Sequence, residues 1–318
     1  MKTPEYWQTD SFISKILAPL SAIYGFLTQL RIKLHRSPKA DIPVICVGNI
    51  TAGGTGKTPV SLSLARMLIN DVYHPFFVTR GYGGKVKNVM VNNKKHTARE
   101  VGDEPLLLSA LAPVVVNPNR YDGAKLAVKE GADLIIMDDG FQNPSLYKDL
   151  SFLVFDGNYG IGNGKIIPSG PLRETFENGI RRADALIIIG KDKQGLAKRT
   201  KLPVFFAHLE TTQTAVGKND VVAFAGIGHP QKFYHSLKEQ GFNVLKTYDF
   251  PDHHFYSKKE LEKIIIQAQK LNADVYTTSK DFVKIPSSLQ NSVKVLEISV
   301  VWNKPEELLG FIKSGIKK

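Results

Sequence analysis

Residues 42–63 read IPVICVGNITAGGTGKTPVSLS, and this stretch decides the fold of the chain. It starts with an apolar run that predicts a buried strand, turns through a glycine-rich segment and ends in a segment that predicts a helix. Strand, glycine loop, Lys-Thr and helix in this order are typical of a P-loop. Glycine is needed there because backbone N–H groups can surround a phosphate only where side chains leave room. The stretch therefore predicts a phosphate site at the start of the helix.

Individual residues of this loop have predicted roles. We expect Lys57 to reach the β- and γ-phosphates of a nucleotide and the Thr58 hydroxyl to hold Mg²⁺. Thr51 stands where the P-loop pattern has a glycine, so the alternative is a glycine-rich turn with a chance Gly-Lys-Thr. The strand before the loop and the helix after it favour the P-loop. The residues expected to bind the nucleotide here are Thr51, Gly53, Gly54, Thr55, Gly56, Lys57 and Thr58.

A second apolar run, at residues 132–137, ends in Asp138 and Asp139. An acidic residue at the end of such a strand is the second half of a P-loop site, because its carboxylate binds the magnesium complex. Thr58, Asp138 and Asp139 are therefore the predicted metal site. The alternative for Asp139 is a capping role.

Composition limits the possible partners. The chain has 318 residues with 42% hydrophobic and 23% charged residues, which is typical of a globular protein with a substantial core. Its net charge of +12 suits an anionic partner, such as nucleic acid, a phosphorylated metabolite or an acidic membrane surface. No groove-reading helix or RNA-binding signature accompanies this charge, so nucleic acid is not a predicted partner. The single cysteine, Cys46, excludes an internal disulfide and a cysteine metal cluster.

The first forty residues have a pattern of their own. Residues 12–35 are apolar at helical spacing, and the longest uncharged run, residues 16–30, has 15 residues. That is short of the roughly 20 apolar residues that a spanning helix needs. Residues 1–40 carry six basic and two acidic side chains, a net charge of +4. An amphipathic helix with a basic end predicts association with an anionic membrane surface; the alternative is a helix that packs on the core.

The remaining pattern predicts the fold class and the domains. Strands alternate with helices, which predicts an α/β fold with a mostly parallel, P-loop kinase-like sheet flanked by helices. We expect an N-terminal helix region at residues 1–40, an ATP-binding kinase domain at residues 41–212 and a smaller α/β domain at residues 213–318 that closes over the site. A polar, threonine-rich crossover at residues 208–220 separates the last two. Loops that follow parallel strands converge on one sheet edge, where ligands bind.

A series of motifs along the chain closely resembles the tetraacyldisaccharide 4′-kinase family, the lipid A 4′-kinases of Gram-negative bacteria. VGDEP together with DDGFQ is far more specific than a P-loop alone, and the resemblance covers nearly the whole chain. The family's glycine loop reads as it does here, whereas the family usually has Glu where Ser279 stands. The motifs in order are GNITAGGTGKTP, RGYGG, VGDEP, MDDGFQN, PSGPLRE, AFAGIGHP, FPDHH and TTSKD.

The resemblance implies an activity and a location. It implies transfer of the γ-phosphate of ATP, with Mg²⁺, to the 4′-hydroxyl of a tetraacylated glucosamine disaccharide 1-phosphate. It also implies a monotopic or peripheral enzyme on the cytoplasmic face of the inner membrane, with no obligate protein partner. The alternatives are a soluble P-loop kinase of a small molecule and a nucleotide-dependent switch or assembly protein.

The resemblance also implies roles for single residues. Asp103 of VGDEP would accept the proton of the sugar hydroxyl, with His253 assisting it and Lys57 as the third catalytic residue. The alternatives are a helix cap for Asp103 and a backbone-bonded loop position for His253. Because these two motifs lie in different predicted domains, we expect ATP-dependent hinge closure near residues 208–220. Asp139 and Gln142 would join the ATP site. The residues expected to bind substrate are Arg80, Arg120, Arg173 and Glu174; surface salt bridges are the alternative for Arg80 and Arg173.

Overall fold

Two β-sheets organise the part of the chain that the computed structural model describes, residues 4–211 and 219–317. The strands are β1 (Val44–Gly48), β2 (Pro75–Thr79), β3 (Val89–Met90), β4 (Val114–Val116), β5 (Leu134–Asp138), β6 (Leu150–Asp156), β7 (Ala185–Ile189), β8 (Val204–Thr211), β9 (Asp220–Ala225), β10 (Asn243–Asp249), β11 (Asp274–Thr278), β12 (Lys294–Leu296) and β13 (Ile298–Trp302). The α-helices are α1 (Phe12–Ile16), α2 (Ala18–Leu34), α3 (Lys57–Asn70), α4 (Ala98–Val101), α5 (Asp103–Leu108), α6 (Arg120–Lys129), α7 (Phe176–Ile180), α8 (Pro230–Glu239), α9 (Lys258–Lys270), α10 (Ser279–Phe282), α11 (Ser287–Gln290) and α12 (Pro305–Ile316).

The first sheet has nine strands in the order β13-β8-β7-β6-β1-β5-β2-β4-β3. Strand β1 lies in its middle and pairs in parallel with β5 and β6. All five residues of β1 and of β5 are buried, because helices cover both faces of the sheet. The register pairs Val47 with Asp138, so the carboxyl ends of β1 and β5 bring the glycine loop and the Asp138-Asp139 pair together.

Two apolar cores lie on the two faces of this sheet. One contains Ile45 and Val47 of β1 with α3 and α12, and the other contains Val44 and Cys46 with α6 and α7. The alternation of neighbouring β1 residues between the two cores follows from the period of a strand. The predicted fold class, a mostly parallel α/β sheet flanked by helices with a smaller second α/β unit, is confirmed.

The second sheet has four parallel strands in the order β10-β9-β11-β12. Strand β13 returns to the first sheet, where it pairs antiparallel with the edge strand β8. Helix α12 then packs Leu308 and Ile312 into the core of the first sheet. The observed division therefore differs from the predicted second domain at residues 213–318, because periodicity does not reveal which sheet edge a strand joins. Residues 212–218 of the predicted crossover lie outside the described residues.

Helix α2 docks on the body through small and polar side chains. The Ser21 hydroxyl donates to Ser169 Oγ at 2.7 Å, and Gly25 lies against Ile166. The large apolar side chains of the helix point outward, and Phe26 is 66% exposed. Within the described residues no helix combines the length and the hydropathy that a bilayer crossing requires.

Candidate active site

The glycine loop between β1 and α3 is shaped to receive an anion. Gly53 and Gly56 have φ values of 114° and 86°, which side chains rarely adopt. A Cβ atom added to Gly53 or Gly54 would meet no heavy atom within 4 Å, so open space lies beside the loop. Thr51 forms a β-bridge with Leu172, which needs no glycine. The loop and the N-terminus of α3 therefore fit a phosphate group.

Asp138, the last residue of β5, contacts the first turns of α3. Its carboxylate accepts hydrogen bonds from Thr58 Oγ1 at 3.0 Å and from Ser61 Oγ at 2.7 Å. Burial, together with the charge of Glu104, raises the pKa of Asp138 to about 7. The sequence analysis missed Ser61, although it lies three positions after Thr58, a spacing that puts both on one helix face.

The oxygen atoms of Thr58 and Asp138 fit Mg²⁺, which prefers oxygen ligands. No group of three or more His, Cys, Asp or Glu side chains among the described residues could hold a metal ion.

Asp139 faces cations instead. Its Oδ1 lies 3.6 Å from Lys57 Nζ and 3.3 Å from Arg173 NH1, and Arg173 also donates to Gln142 Oε1 at 3.2 Å. Although burial works in the opposite direction, the charges of Lys57, Arg173 and Arg120 hold the pKa of Asp139 below its ordinary value. The structure thus puts Asp138, not Asp139, next to the Thr58 hydroxyl.

Glu174 lies behind this group and is fully buried. Its carboxylate accepts from Arg182 at 2.5 and 2.6 Å, from Gln142 at 3.1 Å and from Gln29 of α2 at 3.3 Å. Glu174 thus holds Gln142 in place, and its predicted contact with substrate stays a prediction. Arg182 was not among the predicted site residues, because it lies eight positions after Glu174 and outside the motifs.

The predicted substrate arginines lie in different surroundings. Arg80 follows β2 and is exposed. Arg120 is 2% exposed and donates to the Asn117 carbonyl oxygen at 2.7 Å. Burial lowers the pKa of Arg120 to about 10. Arg173 is the only one of the three that contacts Asp139 through a hydrogen bond among the described residues.

Asp103 and His253 meet across the two sheets. His253 Nδ1 lies 3.0 Å from Asp103 Oδ2 and 3.1 Å from Oδ1, and the Tyr82 ring lies 5.1 Å from the imidazole. Asp103 is 4% exposed, and its Oδ1 also accepts from the Glu104 N–H at 2.9 Å, so it supports the start of α5 as well. The backbone of His253 has a φ of 60° in the loop after β10.

This contact shifts the pKa values of His253 and Asp103 in opposite directions. The hydrogen bond that His253 donates to Asp103 raises the pKa of His253 above its ordinary value, while burial opposes the rise. Burial would raise the pKa of Asp103, but the hydrogen bond from His253 and the charge of Lys280 hold it below its ordinary value. A carboxylate held ionised beside an imidazole can accept a proton from a hydroxyl group.

Lys280 of the TTSKD motif completes the surroundings of this pair. Its Nζ lies 3.3 Å from His253 Nε2 and 3.3 Å from Glu104 Oε1. The sequence analysis noted this motif but gave Lys280 no role. In the structure Lys280 links α10 to Glu104 of α5 and to the imidazole of His253.

A second contact covers the other side of the glycine loop. The His229 ring stacks on the Tyr159 ring with centroids 5.0 Å apart, and Lys232 forms an ion pair with Asp156. The cavity beside this contact is lined by residues of both units, including Thr51, Gly53, Gly54 and Thr55. The glycine loop thus lies at the bottom of a cleft between the two units.

The loop after the central strand β1 and the acid at the end of its neighbour β5 define a P-loop nucleotide-binding protein. The family model described as tetraacyldisaccharide-1-P 4′-kinase matches residues 13–317. The chain therefore belongs to the tetraacyldisaccharide 4′-kinase family, and the predicted resemblance is confirmed.

Individual relatives and a solved structure agree with this. The chain is 45% identical over 314 residues to a tetraacyldisaccharide 4′-kinase of Paramagnetospirillum magneticum, covering 97% of each chain. It is 44% identical to that of Rhodospirillum rubrum, covering 96% of this chain and 95% of the relative. A crystal structure of LpxK from Aquifex aeolicus in complex with ATP superposes with a TM-score of 0.79 at 29% identity, covering 96% of this chain and 100% of that one.

Proposed function

We propose that the protein transfers the γ-phosphate of ATP to the 4′-hydroxyl of a tetraacylated glucosamine disaccharide 1-phosphate. The observation that carries this proposal is the Asp103–His253 contact of 3.0 Å, formed between two units that both border the P-loop cleft. A carboxylate and an imidazole beside a P-loop suit transfer to a hydroxyl group better than a switch that only hydrolyses nucleotide.

The roles of the residues follow from their positions. The amides of Gly53, Gly54 and Gly56 hold the phosphates of ATP, and Lys57 offsets the charge on the phosphoryl group in transfer. Asp103 accepts the proton of the acceptor hydroxyl, and His253 holds that carboxylate in place. Phosphoryl transfer depends mainly on such positioning and on charge stabilisation.

Mg²⁺ would be held by Thr58 and Asp138, where it would supply charge neutralisation between the β- and γ-phosphates. Asp139 keeps Lys57 and Arg173 in reach of the phosphates. Its predicted role as a metal ligand is thus secondary to its ion pairs, which lie at 3.6 and 3.3 Å.

The anionic groups of the substrate would meet the arginines at the cleft. Arg80 is exposed at the end of β2, whereas Arg120 is buried and close enough to Arg80 for the two charges to oppose each other. An anion placed between them would relieve this repulsion. Glu174 contributes by fixing Gln142, which in turn accepts from Arg173.

The acyl chains of the substrate explain the outward face of α2. Ile23, Phe26, Leu27 and Leu34 are each more than half exposed, and the helix has Arg31 and Lys33 in its last turn. An apolar helix with a basic end binds an anionic membrane surface. We therefore propose a peripheral or monotopic location on the cytoplasmic face of the inner membrane.

The chain would then be organised in three parts. Residues 1–40 form the membrane-facing helix region, residues 41–211 with 298–317 form the P-loop unit, and residues 219–297 form the unit that closes over it. This division keeps the predicted boundary near residue 212 and moves residues 298–317 from the second unit to the first, because β13 pairs with β8.

The proposal is tested by incubating the purified protein with γ-labelled ATP and total lipid of a Gram-negative bacterium. We expect label in a glycolipid whose new phosphate is a monoester at the 4′ position. Lys57→Ala is expected to abolish transfer, whereas Lys129→Ala, a change at an exposed lysine of α6, serves as the matched control. Consumption of ATP without a labelled lipid would favour a small-molecule kinase or a switch instead.

A further inference from the structure

A buried lysine lies next to the Asp103 carboxylate. The side chain of Lys284 is 0% exposed, and its Nζ lies 3.9 Å from Asp103 Oδ2 and 2.8 Å from Asp281 Oδ1. Taking an ammonium group out of water is costly unless a partner compensates for it. The site therefore holds a positive charge next to the predicted base at a real cost in desolvation.

Asp281 forms an ion pair with this ammonium group. Its own side chain is 0% exposed and accepts hydrogen bonds from the Gly226 N–H at 3.0 Å, the Tyr256 hydroxyl at 2.8 Å and Thr278 Oγ1 at 2.7 Å. The ammonium group also lies 5.3 Å from the centre of the Tyr256 ring. Because three donors orient Asp281, the lysine that it binds has a fixed position as well.

We propose that Lys284 is a positioning residue for phosphoryl transfer: it holds the Asp103 carboxylate ionised and oriented toward the acceptor hydroxyl. The inference rests on the proposed function, because it assumes that Asp103 accepts the proton. Lys284 is too deeply buried to contact the substrate itself, so it acts through Asp103.

Lys280 also lowers the pKa of Asp103 by its charge, but it contacts the other end of the Asp103–His253 pair. It lies four positions earlier and faces His253 Nε2 at 3.3 Å, so the two lysines flank the Asp103–His253 pair from opposite ends. Only Lys284 approaches the Asp103 carboxylate within 4 Å among the lysines of the described residues. The charged and titratable groups around Asp103 are Glu104 on its own helix, Asp252 and His253 on the loop after β10, and Lys280, Asp281 and Lys284 in and after α10.

The test is the pH dependence of kcat/KM for the lipid acceptor in Lys284→Met, with Lys284→Arg as the matched variant that keeps the charge. Loss of a positive charge this close favours protonation of Asp103, so the acidic limb of the profile should move upward by about one to three pH units. Lys284→Arg should keep the limb near its wild-type position. A lower rate at every pH with an unmoved limb would mean a purely structural role, and an equal shift in both variants would also overturn the proposal.

Lys284→Met leaves the Asp281 carboxylate buried without its cation, which threatens folding. The double variant Asp281→Asn with Lys284→Met removes both buried charges. Because Lys284 is the one that contacts Asp103, the acidic limb should still move upward, by less than in Lys284→Met. An unmoved limb in a folded double variant would contradict the inference.

A readout without activity separates this inference from the proposed function. In ¹³C-histidine-labelled protein, the imidazole of His253 should titrate at a higher pH in Lys284→Met than in Lys284→Arg, because only the methionine variant loses the positive charge near the pair. The resonance is assigned with His253→Gln. Failure of lipid labelling with this shift present would sink the proposed function alone, whereas an unchanged titration would sink the role of Lys284 alone.

Discussion

Asp139 and His253 hold their backbones in the left-handed region, with φ values of 52° and 60°. Few residues other than glycine adopt this region, although Asp, Asn and His do so more readily than most. Both residues lie at the cleft, and each is kept in place by its contacts: Asp139 by Lys57 and Arg173, His253 by Asp103. Single-residue strain of this kind is found where side chains must point at a ligand.

Replacement of Asp103 by asparagine tests its role as the base. Asp103→Asn keeps the shape of the side chain but cannot accept the proton, so kcat should fall roughly 100- to 10,000-fold. Affinity for ATP, measured by titration calorimetry, should stay close to that of the wild type. A large loss of ATP affinity would instead place Asp103 among the groups that hold the metal and the phosphates.

The Asp103–His253 contact also predicts a pH dependence of stability. The pKa of His253 lies above its ordinary 6.5, so its contribution is full below pH 6.5 and is lost as the pH rises through the folded-state pKa. The pKa of Asp103 lies below its ordinary 3.8, so its contribution is present above pH 3.8 and is lost as the pH falls through the folded-state pKa.

The contact is therefore most stabilising between pH 3.8 and pH 6.5. In urea unfolding, His253→Gln should lose more free energy of unfolding at about pH 5 than at about pH 8.5. An equal loss of free energy of unfolding at both pH values would show that the pKa of His253 does not differ between the folded and unfolded states.

Sequence patterns predicted residues whose chemistry follows from local spacing. Thr58 and Asp138 were expected in one metal site, and Thr58 Oγ1 lies 3.0 Å from Asp138 Oδ2. Their positions were predictable because a P-loop and the end of the neighbouring strand lie at the same edge of the sheet. Lys284 was missed because Asp103 lies far away in the chain, and Arg182 was missed because the spacing of eight residues between it and Glu174 crosses a loop and α7 and fits no regular period. The four-residue spacing of Lys280 and Lys284 was the one signal that could have indicated a pair.

At the scale of elements, α2 differs from the usual amphipathic helix because its small and polar side faces the protein and its apolar side faces outward. Its inward stripe is made of Ser21 and Gly25, which let the helix approach the loop at residues 165–174 closely. Its outward side carries the large apolar residues. The sequence showed the apolar positions but did not show which side faced the protein, since both a core and a membrane bury such residues.

The outward side can be changed without touching the docking contacts. Phe26→Ser with Leu27→Ser alters side chains that are 66% and 56% exposed, so the melting temperature should stay close to that of the wild type. Sedimentation with vesicles that contain anionic lipid should fall several-fold, because apolar area drives insertion into the interface. Unchanged sedimentation would argue that this helix does not carry membrane binding.

The segment before α7 depends on its buried ion pair. Arg182→Met leaves the fully buried Glu174 without its main partner, which should cost about 3–5 kcal/mol in the free energy of unfolding. Lys258→Met removes a surface pair of 3.7 Å whose side chains are 66% and 44% exposed, and it should cost less than about 1 kcal/mol. Equal costs in urea unfolding would contradict the importance of burial here.

At the scale of the whole molecule, the contacts between the two units describe a closed arrangement. Asp103 meets His253, Glu104 meets Lys280 at 3.3 Å, and Asp156 meets Lys232. The units are joined twice, once through residues 212–219 and once through the single residue between β12 and β13. If the units move relative to each other, we expect the backbone to bend where the chain passes between them.

We expect an ATP analogue to favour this closed arrangement. Small-angle scattering should give a smaller radius of gyration with a non-hydrolysable analogue than without it. Lys57→Ala, which weakens the hold on the phosphates, should show a weaker contraction at the same concentration. Identical dimensions in the presence and absence of the analogue would remove the idea of closure.

The overall architecture was predictable as far as periodicity reaches. Strands were expected before the glycine loop and at residues 132–137, and β1 and β5 lie there as neighbours in the sheet. The place of β13 was not predictable, because its apolar pattern fits either sheet. Its partner is decided by the free edge of β8, a property that only the assembled sheet possesses.

That late pairing has a consequence for synthesis. Strand β8 leaves the ribosome long before β13, so the growing chain exposes an unpaired strand edge while the smaller unit is still being made. Such edges attract strands of other chains. A nascent protein stalled before residue 298 would present this edge to its neighbours, and molecular chaperones would have most to protect at that moment.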